Sequence, residues 1–408
     1  MSNITPFSIN IPNEKVQRLK QKLSAIDFPD EVTGAEDPWA RGVPLSEMKR
    51  LTAYWAGTFD WRKAESKLNQ LSQFVTEVDV DNFGKYTIHH VHQKSDFEQA
   101  VPLLFLHSWP GGFFEVSKLL PYLDGGEDKP AFHVVAPSLV DFGFSSGSKK
   151  QGFAIDQHAE VCHKLMLSLG YTEYVVQGGD LGCLTARFIA LKYGRKHCKA
   201  THTNNALPAE PTEAKHPQLY ARLQSTPLTP LELNGLARTA KYFSTASGYY
   251  QLASTRPQTL GYALADSPVA LLAWIYEKLH DWVDLNYTWT DDEICTWVSI
   301  YWFSTPGPAA SSRVFYEFEH RTPEGAFPAS QAYIDVPLGV ARFANDTVLL
   351  PRLWNQTLGP VVYESEYDEG GHFAAWERPD AIAKDLQAMF GRGGPAFACV
   401  DGKSGYKE

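Results

Sequence analysis

No apolar run in this chain approaches the roughly 20 residues that a membrane-spanning helix needs, and no basic start leads into an apolar core as in a secretory leader. Cysteine is scarce: five among 408 residues, at positions 162, 183, 198, 295 and 399, odd in number and without metal-type spacing. That excludes a disulfide scaffold and points to a reducing compartment, with no metal centre expected. Long runs of one charge are missing too. The net charge of −10 is spread along the sequence, which argues against a nucleic-acid or anionic-membrane partner and leaves a neutral or weakly polar small molecule. No internal repeat or low-complexity tract interrupts the chain. The expectation is a soluble, cytoplasmic protein with one large domain and a substantial insertion.

What the sequence has in quantity is aromatic side chains, 13% of all residues, which suits an apolar pocket as well as a large core. Along the chain, residues 1–73 read as a helical meander: Asn13 caps a helix bearing Val16, Leu19 and Leu23, Pro44 opens a second with Leu45, Met48 and Trp55, and 61–71 continues helically. Residues 74–206 alternate. A hairpin across 81–84 joins two β runs, and apolar runs at 101–106, 132–136 and 175–176 read as buried parallel strands separated by helical stretches. This βαβ pattern predicts a doubly wound α/β sheet. Proline-punctuated helical segments in 207–330 read as a lid over the carboxyl edge of that sheet. Strand and helix signals resume in 331–392, and 393–408 reads as a loose tail.

The sharpest turn in the sequence is Val175-Val176-Gln177-Gly178-Gly179-Asp180-Leu181-Gly182-Cys183. A β-branched run breaks into glycines around one carboxylate. Helical spacing then restarts, with Leu184, Phe188 and Leu191 on one face and Gly194 placed to cap. Strand, tight turn and helix make a nucleophile elbow, with small residues where positive φ or crowding is expected. Its apex in hydrolases is usually serine; here it is Asp180. A carboxylate is ionised at neutral pH and can attack a saturated carbon without a base, leaving an alkyl ester. Taken alone, the stretch reads equally well as a glycine-rich turn with an aspartate helix cap.

An ester on the elbow requires a water-activating base, and in this architecture the chain order is nucleophile, acid, histidine. His372, in Gly370-Gly371-His372-Phe373 directly after the last strand, stands in that place. Asp346 follows the preceding strand and would fix the His372 tautomer; a plain turn aspartate is the alternative reading, with Glu366 and Asp368 as rivals. At the other edge, Leu106-His107-Ser108-Trp109-Pro110-Gly111-Gly112 turns sharply after a strand. The backbone N–H groups of Trp109 and Leu181 are therefore candidates for an oxyanion hole. Trp109-Pro110 is a candidate cis peptide, and His107 a structural support behind the turn.

Together HSWPG, GGDLG, ASGYYQLASTRP, SPVALLAWIYEKLHDW, YWF, FAND and GGHFAAWERP resemble the epoxide hydrolases of the α/β-hydrolase fold, in the microsomal and fungal branch with an N-terminal meander. The resemblance implies a mostly parallel central sheet with helices on both faces and a helical cap. It implies an apolar epoxide as substrate, a vicinal diol as product and no cofactor or metal, in detoxification or aromatic hydrocarbon catabolism. It places two cap phenols on the epoxide oxygen, Tyr249 and Tyr316, with Tyr250 as the rival for the first. A phenol with a pKa near ~10 stays protonated at neutral pH, as an acid for that oxygen must. Trp109, Phe142 and Phe373 are implied to line the substrate pocket. The sequence departs from the family's pattern at Ser108, where glycine is usual, and at Val140-Asp141, where Pro-Gly is expected. No anchor helix is read at the N-terminus, as in the soluble fungal form, and the meander resembles segments that wrap a partner subunit, which suggests a homodimer. The alternatives are a haloalkane dehalogenase, although Leu181 stands where those enzymes typically carry tryptophan, a catalytically silent binder of the same fold, and a cyclase in which an internal hydroxyl replaces water.

Overall fold

The computed structural model describes residues 4–323 and 325–407. Among them nine strands form one sheet: β1 (Ile4–Pro6), β2 (Gln73–Val80), β3 (Gly84–Gln93), β4 (Val101–Leu106), β5 (Phe132–Pro137), β6 (Tyr174–Gly178), β7 (Cys198–Thr203), β8 (Leu338–Phe343) and β9 (Val361–Tyr367). Their order is β1-β2-β3-β5-β4-β6-β7-β8-β9. The pairs β1–β2, β2–β3 and β3–β5 are antiparallel, and every later pair is parallel. All six residues of β4 are buried, as a strand covered on both faces requires.

Before the sheet lie α1 (Asn13–Ser24), α2 (Leu45–Gly57) and α3 (Trp61–Leu68). Leu19, Leu23, Leu51 and Trp55 bury one face of the first two, at the spacing read from the sequence. The core helices are the short α4 (Val116–Leu119), then α5 (Ile155–Ser168) and α6 (Leu181–Tyr193), which pack on each other. Between β7 and β8 the chain builds the insertion: α7 (Pro217–Ser225), α8 (Pro230–Lys241), α9 (Gly248–Thr255), α10 (Pro257–Asp266), α11 (Pro268–Asp281), α12 (Asp291–Trp302), α13 (Arg313–Glu319) and α14 (Phe327–Ser330). A π-helical turn, Tyr242–Ala246, joins α8 to α9. The chain returns through α15 (Ala374–Glu377) and α16 (Pro379–Phe390), which pack with α4.

Three sequence readings need correction. The N-terminal segment is not wholly helical: β1, three residues long, carries no periodicity of its own and exists by pairing with Phe74, Val75 and Thr76. Helices α7 and α10 fall within the proline-punctuated part of the chain, and Pro217 and Pro257 open them at their first position. Leu191 does not share the buried face of Phe188; it is 39% exposed near the end of α6. Nor is the tail loose. Ala396, Val400 and Tyr406 are buried, Gly405 O accepts from Ala131 N at 2.7 Å, and Gly405 N donates to Gln99 O at 2.8 Å. The tail thereby ties down the chain just before β4 and β5, at the end of those strands remote from their carboxyl termini. Residue 408 lies outside the described residues.

The Tyr406 ring, 4% exposed, is the anchor of that seal, and its hydroxyl also accepts from Arg392 N at 3.1 Å. Tyr406→Ala is expected to destabilise the protein by roughly 3 kcal/mol through lost burial and an orphaned N–H. Thermal melting should show a clear fall in Tm, whereas an unchanged Tm would return the tail to the status of an appendage.

Candidate active site

The carboxyl ends of β4, β6, β8 and β9 point to one edge of the sheet, and the candidate residues meet there. At the β6–α6 junction Asp180 adopts φ 51° and ψ −120°, a backbone conformation that side chains rarely take. The glycines make it passable. A Cβ on Gly182 would lie 2.2 Å from the Leu106 carbonyl oxygen, and one on Gly178 would lie 2.5 Å from the Gly182 carbonyl carbon. The elbow therefore presses directly against the last residue of β4.

That contact brings the turn after β4 over the carboxylate. Trp109 N donates to Asp180 Oδ1 at 2.8 Å, and the Leu181 N–H also stabilises the carboxylate. Trp109-Pro110 is cis. His107 supports the turn from behind, its Nε2 accepting from Leu139 N at 3.1 Å. Ser108, unusual at its place, has a structural partner: its hydroxyl donates to Glu115 Oε1 and Oε2 at 3.0 and 3.1 Å. Glu115 also accepts from Gly112 N at 2.8 Å, and burial pushes its carboxyl up to about 7. A cavity of ≈ 10 Å³, the size of a single water, is lined by Ser108, Glu115, Gln177, Asn204 and His372 among others.

His372, 3% exposed, places Nε2 3.7 Å from Asp180 Oδ2 and Nδ1 2.9 Å from Asp346 Oδ1. Asp346 is held in turn by Thr347 N at 2.7 Å and by Asn205 Nδ2 at 2.9 Å. Glu366, the rival acid, instead pairs with Arg342. Burial by itself pulls the imidazole pKa down. The charges of Asp346, then Asp180 and Glu115, more than reverse it, to about 9. Burial also pushes the Asp180 carboxyl up, against the charge of His372 and the two N–H donors. A carboxylate, an imidazole and an acid in this order can carry attack on carbon and then activation of water.

Rings from the helical insertion pack over this edge. Tyr249 lies parallel to the Trp109 indole, with centroids 5.0 Å apart and planes at 9°, and Phe315 meets Trp109 edge-on at 4.9 Å. Tyr249 OH is hydrogen-bonded to Tyr242 OH at 2.7 Å. Tyr250 turns elsewhere and donates to Glu319.

The second expected phenol is not brought into this cluster. Tyr316 stacks on His320 with centroids 3.9 Å apart, because successive helical residues diverge by about 100° and Phe315 takes the face of α13 towards Trp109. Phe142 and Phe373 are likewise committed to packing. The first lies against His107 at 4.9 Å and the second against Trp297 at 5.3 Å, although Phe373 also flanks the His372 ring at 5.2 Å. Sequence reading missed Tyr242, Phe315, Asn205 and Glu115. Only Glu115 carried a signal, as a lone carboxylate within an apolar stretch after Gly111-Gly112.

The departure at Asp141 also has a partner. Asp141 adopts φ 70°, and its Oδ1 accepts from Ser148 N at 3.1 Å and from Arg313 Nη1 of α13 at 3.3 Å. Burial pushes this carboxyl up to about 7, against Arg313 and the Ser148 N–H.

Sheet order, aspartate elbow and a histidine after the last strand define an α/β hydrolase. Models of two families agree: one described as alpha/beta hydrolase fold matches residues 101–283, and one described as epoxide hydrolase N terminus matches residues 4–116. A provisionally named epoxide hydrolase of Stigmatella aurantiaca is 37% identical over 398 residues, covering 95% of this chain and 84% of that protein. Epoxide hydrolase 1 of Sus scrofa is 32% identical, covering 95% and 89%. The solved Aspergillus niger epoxide hydrolase superposes with a TM-score of 0.82 at 33% identity, covering 95% of each chain. The chain belongs to the epoxide hydrolases, which add water to a three-membered cyclic ether.

One electrostatic consequence is measurable without substrate. The Asp180 charge raises the affinity of His372 for its proton, so Asp180→Asn should lower the imidazole pKa from about 9. NMR titration of labelled imidazole in the two proteins checks this. An unshifted midpoint would mean that Asp346 and Glu115 hold the proton without Asp180.

Proposed function

We propose that this epoxide hydrolase works through a covalent ester on Asp180. One Asp180 oxygen attacks a ring carbon of the epoxide, the C–O bond breaks, and the leaving oxygen takes a proton from a cap phenol, leaving a hydroxyalkyl ester. Water deprotonated by His372 then attacks the carbonyl carbon of that ester, the N–H groups of Trp109 and Leu181 hold the oxyanion, and collapse releases a vicinal diol. The observation that carries this reading is the single line Asp180–His372–Asp346, with 3.7 Å and 2.9 Å between partners. Esterification removes the Asp180 charge, and with it one of the charges that keep His372 protonated. His372 can then give up its proton, which restores the cap phenolate to a phenol, and the base is released by the step that creates its substrate.

Tyr249 is the proposed first donor to the epoxide oxygen, with Tyr242 holding its hydroxyl. Tyr316 is the proposed second donor, and it takes up that role by turning its ring away from His320. The six rings of Trp109, Tyr242, Tyr249, Trp274, Trp282 and Phe315 support an apolar epoxide. Residues 207–330 act as the cap, between core parts 74–206 and 331–392. The reading includes a cytoplasmic homodimer joined through 1–73, which light scattering tests. No helix among the described residues is long and apolar enough to cross a membrane.

His372→Gln should accumulate an adduct on Asp180 visible by intact mass after mixing with epoxide, and Asp180→Asn should form none. In oxygen-18 water with enzyme in excess, the first turnover should give unlabelled diol and a labelled Asp180 peptide. Labelled diol in that turnover would mean direct attack by water, with Asp180 as a base. An internal ether in place of the diol would mark a cyclase.

The phenols separate by rate. Tyr249→Phe and Tyr316→Phe should each slow ring opening by roughly 10²-fold or less, the double variant far more, and Tyr250→Phe little. Loss on Tyr242→Phe with none on Tyr316→Phe would transfer the second role to Tyr242.

A further inference from the structure

Lys278 on α11 is 1% exposed, the burial of a core leucine rather than of an ammonium group. Lysine is almost never fully buried unless paired, because a charge removed from water needs compensation. Among the described residues its carboxylate partner is Glu277 Oε1 at 3.1 Å, on a side chain that is itself 32% exposed. Rings lie beside it as well. Nζ lies 4.6 Å from the centroid of Trp274 and 5.1 Å from the centroid of Tyr249. Burial pulls the ammonium pKa down, and Glu277 and Asp281 oppose that loss of charge.

The position of this cation is informative because of what its ring neighbour does. As the Tyr249 hydroxyl passes its proton towards the epoxide oxygen, negative charge spreads from the phenolic oxygen into the ring. A cation over the ring face is attracted more strongly to the ring in that state than to the neutral phenol of the resting enzyme. The low-polarity surroundings, with Trp109 stacked on the same ring, leave little solvent to screen the effect.

We infer that Lys278 is a positioning residue for ring opening, its buried ammonium stabilising the electron-rich Tyr249 ring as the phenol gives up its proton. The inference rests on the proposed role of Tyr249. Lys278 itself neither gains nor loses a proton in the step. A purely structural Lys278 would support both half-reactions equally, whereas a residue that acts through Tyr249 affects only the first.

Rapid mixing with styrene oxide, followed by acid quench and intact mass, gives the rates at which the Asp180 ester forms and disappears. Lys278→Met keeps the unbranched chain and removes the charge, and it should slow ester formation about tenfold while leaving ester hydrolysis unchanged. Lys278→Arg should restore most of the loss. In a Tyr249→Phe background Lys278→Met should cost nothing further, since the ring has no proton to give. Lys278→Gln, which keeps a polar end for Glu277, provides the same comparison should the methionine variant not fold. Equal slowing of both half-reactions, or the full tenfold loss persisting in the Tyr249→Phe background, would overturn the inference. Tyr249→Phe without any loss of its own removes the reading on which the inference stands, and that outcome is recognisable separately.

Discussion

The site depends on a close approach of two pieces of backbone, the Gly182 α-carbon against the carbonyl oxygen of Leu106. Because β4 and β6 are hydrogen-bonded neighbours, their following turns begin side by side, and the missing side chain at Gly182 lets them touch. Everything else is registered to that contact. It sets the reach from Trp109 N to the Asp180 carboxylate, and it aims α6 so that the Leu181 N–H at its start serves the same carboxylate. A methyl group at position 182 would have to move either the helix or the strand end, and each leads into one of the two N–H groups that hold the Asp180 carboxylate.

Electrostatics impose a second condition on the same small volume. Asp180, Glu115, Asp346 and His372 lie together with little water, so each carboxylate has to be held by donors or by the one imidazolium. The acids are held in different ways. Asp346 is held by a side-chain amide and a backbone N–H, whereas Glu115 is held by the two turn N–H groups and the Ser108 hydroxyl. Serine at position 108 thus belongs to the support of a buried acid, which explains a departure that sequence comparison within the family pattern presents only as an exception.

How much of this was legible in the sequence follows from the range of the forces involved. The elbow, the turn after β4 and the loop of His372 were readable because each is a local event, a strand end followed by residues that only a tight turn accommodates. Asp346 was readable because chain order places an acid after the strand preceding the histidine. The phenols were less so. A helix fixes where Phe315 and Tyr316 leave the backbone, but which ring faces Trp109 is decided by packing across to α9. Tyr242 sits on a π-helical turn whose extra residue no periodicity announces. The strand β1 and the buried tail are equally non-local, since each has structure only where another part of the chain meets it.

The ion pair between Asp141 and Arg313 joins the loop after β5 to the cap helix that carries Phe315 and Tyr316. Two segments that an engineer would treat as independent dials, the loop after β5 and the helix that carries Phe315, therefore share one mechanical link. Loss of Asp141 would leave Arg313 without this partner, so substitutions in the loop and on α13 are expected to be non-additive in their effect on stability.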